Sequence, residues 1–172
     1  MKIVEGDIIL LTKRKFSFIK IHRYLLSLFI RIFTGKYTHS AITFKKEDGQ
    51  MYIREMDYKG SEINTTLDEY INLYRDRIYV MKVWLPFNNE EKIKLRNAAT
   101  NLNVKYEFIG LVWQLYKSIT GKFIGRKTLL KRVCSEDTAR VYNNVRFYFE
   151  KPYEKTPMDL SENINFMIFK YK

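Results

Sequence analysis

A single cysteine, Cys134, and only two histidines, His22 and His39, are available for thiol, imidazole or metal chemistry in this 172-residue chain. One thiol excludes an internal disulfide and any zinc site built from several cysteines. Without a His-x-Glu or paired-Cys spacing, no metal site is expected, and without a Gly-rich phosphate loop no nucleotide cofactor is expected either. Three prolines and seven glycines leave little material for flexible linkers, and neither repeats nor low-complexity tracts are present. Acid is also scarce: 19 Asp and Glu stand against 31 Lys and Arg, a formal charge of +12. That excess points to an anionic partner or surface without naming it. The first residues run directly into a strand and lack the regions of a signal peptide, so a cytoplasmic location is the default expectation.

What is present suffices for a core. Hydrophobic residues make up 46% of the chain, with 13 Tyr and 12 Phe, which argues against disorder and for one domain over 1–172. Asp7–Leu11 reads as a short buried strand. Ser17–Phe33 is apolar apart from Lys20, Arg23, Ser27 and Arg31, which recur at helical spacing, so a largely buried or membrane-surface helix is expected, preceded by the basic triplet Lys13-Arg14-Lys15. His22 falls on its apolar face. The runs His39–Phe44 and Gln50–Tyr58 read as a hairpin around Glu47-Asp48-Gly49. Arg77–Leu85 is a strand stopped by Pro86, and Asn88 with Glu90 and Glu91 opens a helix over 89–102. A second helix is expected near 108–118. The segment 117–132, with six basic residues and no acid, is expected to be an exposed loop. Cys134, Thr138, Val141, Tyr142 and Val145 share one helical face, and 147–149 and 166–169 are expected strands.

Chemistry can be built from two of these elements. The spacing puts Cys134 in the first turn of its helix, where backbone N–H groups and the positive dipole end favour a thiolate. Free cysteines are also commonly buried as small hydrophobes. His39 heads its strand and shares a face with Ala41 and Thr43. With a three-residue loop it falls opposite Asp57, with Glu55 its diagonal neighbour. Either carboxylate could orient the ring.

The order Gly6-Asp7-Ile8-Ile9, Thr38-His39-Ser40-Ala41-Ile42, Tyr52-Ile53-Arg54-Glu55-Met56, Tyr106-Glu107-Phe108, Val133-Cys134-Ser135-Glu136 and Thr156-Pro157-Met158-Asp159-Leu160 resembles a known family. It is similar to the circularly permuted branch of the NlpC-type, papain-like cysteine hydrolases, and in particular to YiiX-like bacterial proteins related to the lecithin retinol acyltransferase group. The resemblance covers Gly6 to Leu160. It implies an α+β fold in which a small antiparallel sheet packs against a Cys-bearing helix. It also implies that Cys134 is the nucleophile, His39 the base, Glu55 the residue orienting His39, and Tyr106 a neighbour that assists. The sequence departs from the usual pattern where Arg54 precedes Glu55 and where Asp137-Thr138 replaces the apolar pair that commonly follows Cys-Ser-Glu.

The expected function is therefore thiol-dependent hydrolysis of an amide, in a cell-wall peptide first, through an acyl-enzyme and without cofactor or metal. A lipid acyl hydrolase or acyltransferase at a membrane is the alternative, and a non-catalytic basic binding module on the same fold is the rival. Expected partners are a peptide- or lipid-linked acyl substrate and an anionic surface, cell wall or membrane, rather than nucleic acid.

Overall fold

The continuous run Ile8–Leu11 has no polar face because the strand it forms, β1, is covered on both sides: all four side chains are fully buried. A computed structural model describes residues 2–12, 35–57, 60–101, 104–124 and 131–171. The helix expected over 17–33, with His22 and the basic triplet, lies outside the described residues. β1 is a central strand of a six-stranded antiparallel sheet with β2 (His39–Lys45), β3 (Met51–Asp57), β4 (Gly60–Glu62), β5 (Ile78–Val83) and β8 (Phe166–Lys170), in the order β4-β3-β2-β1-β5-β8. β6 (Lys105–Tyr106) and β7 (Lys131–Arg132) form a separate parallel pair.

The sheet separates two packed layers. Ile8, Leu10, Ile42 and Met81 face the helix α4 (Cys134–Asn143) through Ala139, Val141 and Tyr142, together with Leu95 of α2 (Asn89–Thr100), Phe149 and Phe166. Ile9, Leu11, Ala41, Ile53, Ile78 and Val80 face Leu67 and Tyr70 of α1 (Leu67–Tyr74). Two further helices are α3 (Phe108–Thr120) and the short α5 (Pro157–Ser161).

The β2–β3 hairpin has the expected register. Gly49 adopts φ 81°, Gly49 N–H donates to the Lys46 carbonyl, and Lys45 pairs with Met51. Gly60 is required for a different reason: at φ 118° a Cβ there would stand 3.0 Å from the Val104 carbonyl oxygen, so only glycine lets β4 approach the chain entering β6.

Two expectations are corrected. The stretch 117–132 is not one loop, because α3 continues to Thr120 and stops where Gly121 turns left-handed (φ 72°) and bonds the Lys117 carbonyl; Lys131–Arg132 then forms β7. Residues 147–149 form no strand, because the Asn143 side chain accepts the N–H groups of Tyr148 and Phe149 and donates to the Phe149 carbonyl, removing them from any ladder.

Candidate functional site

His39 and Glu55 come together through the hairpin register. Ala41 pairs with Glu55, which leaves Glu55 one diagonal step from His39 on the α1 side of the sheet. The imidazole Nε2 lies 2.8 Å from Oε2 of Glu55, and both side chains are well buried. Tyr70 of α1 reaches the same carboxylate oxygen at 3.5 Å. Glu55 is thus the carboxylate on the ring, while the side chain of Asp57 lies outside the described set.

Cys134 is the first residue of α4, after Val133, whose extended conformation (φ −94°, ψ 166°) breaks the chain direction but supplies no side-chain cap. The thiol is 9% exposed and packs with Met56, Val104 and Tyr106. Tyr106 reaches this position because Tyr106 pairs with Arg132 across the β6–β7 ladder, and Glu107 N–H donates to the Arg132 carbonyl. The structure therefore places the candidate tyrosine beside the candidate thiol.

The two departures from the family pattern are partners. Arg54, 1% exposed, forks onto Asp137: Nε to Oδ2 at 2.8 Å and Nη2 to Oδ1 at 2.9 Å. Its Nη1 donates to the carbonyls of Ala99 and Asn101 at the end of α2, 2.7 Å each. Arg132 adds a third contact to Asp137 at 3.1 Å. Thr138 meets Ser40, the neighbour of His39, with 3.0 Å between hydroxyl oxygens. So α4 is fastened to β3 beside Glu55 and to β2 beside His39. The thiol's own turn is held from the other side: Ser135 donates to the Lys155 carbonyl, and Gln114 of α3 donates to Ser135 and to the same carbonyl. Sequence patterning missed Arg54, Asp137, Thr138, Tyr70 and Gln114 as supporting residues. The one signal that could have found the first pair was that two unusual residues of opposite charge depart from a single pattern.

Glu136, also in the first turn, is 4% exposed and bonds Arg140 at 2.8 Å. Burial outweighs that arginine and pushes the carboxyl up to about 7. Between the ordinary carboxyl range and about pH 7, the folded chain holds a proton there that the unfolded chain has released, so stability falls as pH rises through this window and levels off above it. The expected loss is on the order of 1–3 kcal/mol. Glu136→Gln removes the decline, which urea unfolding midpoints taken across that range would register.

No protein-family model matches the chain, and no curated protein matches its sequence. Among solved structures, it is similar to the crystal structure of the metalloprotein YiiX from Escherichia coli O157:H7, with a TM-score of 0.57 at 17% identity, covering 98% of this chain and 97% of that one. The fold is YiiX-like over essentially the whole chain.

Proposed function

We propose that the protein is a cysteine acyl hydrolase of the permuted NlpC-type, papain-like kind, in which Cys134 is the nucleophile, His39 the base and Glu55 the group that orients the base. The observation that carries this reading is the buried 2.8 Å His39–Glu55 pair at the start of a strand whose next residue, Ser40, is bonded to the helix headed by Cys134. With Glu55 on Nε2, the other ring nitrogen, Nδ1, is the one that takes the proton of the thiol. Sγ attacks the acyl carbonyl carbon and its proton passes to His39. The oxyanion is met by backbone N–H groups of the first turn of α4, with Tyr106 beside them. The C–N or C–O bond then breaks, and the leaving group takes the proton from His39. Water, deprotonated by His39, attacks the thioester and restores the thiol.

The amide of a cell-wall peptide is the first substrate reading, carried over from the family resemblance. A lipid-linked acyl group is the second, favoured by the exposed apolar side chains of α3, whose inner face touches Ser135. YiiX is a metalloprotein, but among the described residues of this chain no three His, Cys, Asp or Glu side chains gather as metal ligands. A resident metal therefore does not fit this chain's described residues.

Alkylation kinetics test the reading. Iodoacetamide should modify Cys134 about tenfold faster than glutathione at pH 7, as expected for a thiolate already favoured by its surroundings. His39→Ala should reduce that rate to the glutathione level. A thiol no faster than glutathione and indifferent to His39 overturns the catalytic reading and leaves a binding module.

A further inference from the structure

Ile109, Val112, Tyr116 and Ile119 of α3 follow one another at i, i+3, i+7 and i+10, which confines them to about 80° of the helix circumference. They are 62%, 56%, 39% and 68% exposed, and Ile124 beyond the helix is also open. The opposite side of the same helix is anchored: Gln114 is buried on Ser135 and the Lys155 carbonyl, Gly110 lies against Val133, and Lys117 bonds the Glu154 carbonyl and Asp159. α3 is thus held rigidly by polar contacts while its apolar stripe faces outward. Burial in the core does not account for the stripe.

Charge selects among possible occupants. Residues 108–133 contain six Lys and Arg and no Asp or Glu; Lys117 and Arg132 pair inward with Asp159 and Asp137, while Lys122, and Lys105 before the helix, are exposed at the two ends of α3. Nucleic acid or an anionic cell-wall polymer would match the charge but would leave the isoleucines in water. A second copy docked through the same face would bring cations against cations. Among the described residues no helix is long and apolar enough to cross a membrane, so α3 cannot span a bilayer. Apolar stripe, basic flanks and a fixed inner face match a helix lying in the plane of an anionic lipid interface.

We propose that the outer face of α3 is a docking surface for anionic lipid bilayers. One helix diameter, about 10 Å, then separates the bilayer from the first turn of α4, so docking holds Cys134 next to the interface. The proposal concerns where the protein sits and stands independently of whether Cys134 reacts.

Vesicle flotation of the full chain decides it. Binding is expected to vesicles of phosphatidylcholine mixed with phosphatidylglycerol, and to be much weaker to phosphatidylcholine alone or at high salt. Val112→Ser with Ile119→Ser should lower binding about tenfold or more, since both side chains leave the apolar phase. Lys122→Glu should lower it about fivefold or more. Wild-type binding retained by the double variant overturns the proposal, as does equal binding to neutral vesicles. Exposed substitutions change stability little, so a double variant whose Tm falls by many degrees would show that the chain itself covers the stripe. A wild-type dimer that the double variant splits would show that a second copy covers it. Either result overturns the proposal. Alkylation of Cys134 measured on the same variants keeps the two questions apart, because it should not change without lipid.

Discussion

His39→Ala is expected to lower acyl-enzyme formation about 10²–10⁴-fold, the usual contribution of a positioned base, and to leave the fold intact. Glu55 should behave differently according to what replaces it. The imidazole meets Oε2 of Glu55 through Nε2, and an amide oxygen accepts that N–H as a carboxylate does, so Glu55→Gln should keep the ring oriented and cost about tenfold or less. Glu55→Ala removes the acceptor inside a buried pocket, and a loss of about 10–100-fold is expected, as for other residues that orient a reacting group. Tyr70 stands 3.5 Å from the same oxygen, too far for a strong bond, and Tyr70→Phe should change the rate by less than about threefold. The measurement is the burst of leaving group from an activated acyl ester or amide, with Cys134→Ala as the blank. The ordering His39→Ala, Glu55→Ala, Glu55→Gln, Tyr70→Phe is the signature of a base held by a carboxylate. Equal effects of all four would instead mark a structural cluster.

The register behind that pair was legible in the sequence because it depends on one local feature, while the choice of Glu55 over Asp57 rested on the family resemblance. A three-residue turn ending in a left-handed glycine sets the register of the hairpin, and register alone sets the diagonal between His39 and Glu55. The start of α4 was legible for a similar reason, since its apolar face repeats at helical spacing over three turns. Other elements carry no such period. β4, β6 and β7 are two or three residues long and exist because another strand pairs with each of them. α1 and α5 are short, and their sequence signal is in their caps: Thr66 with Glu69 and Thr156 with Asp159 form capping boxes, a pattern that can be read before any apolar periodicity develops. The support beneath the site was the least visible part. Arg54 and Asp137 are 83 residues apart, and Ser40 and Thr138 are 98 apart. Only the assembled sheet brings such pairs into contact.

Because Arg54 and Asp137 substitute for each other's solvent, losing either one alone should be strongly destabilising. Arg54→Met leaves Asp137, 2% exposed, with Arg132 as its one cation among the described residues, and strips a donor from the Ala99 and Asn101 carbonyls. Asp137→Leu leaves a fully buried guanidinium without its carboxylate. Each should destabilise by about 3–5 kcal/mol, a fall of roughly 10 °C or more in Tm for a domain of this size. The double variant Arg54→Met/Asp137→Leu should lose far less than the sum, because two apolar side chains of similar reach can fill the gap and no charge is left buried alone. It should still fall short of the parent, since Arg132 and the two α2 carbonyls lose a partner in either case. Denaturant midpoints for the four proteins yield the coupling, and simple additivity would mean that the bidentate geometry contributes nothing. Alkylation of Cys134 in the double variant adds a second readout. If the ion pair serves only to fasten α4 to β3, then an apolar pair at 54 and 137 should restore thiol reactivity along with most of the stability. If reactivity stays low in a protein that again melts near the parent, the charges themselves act on the thiol through the first turn of the helix, and Arg54 becomes a positioning residue of the site.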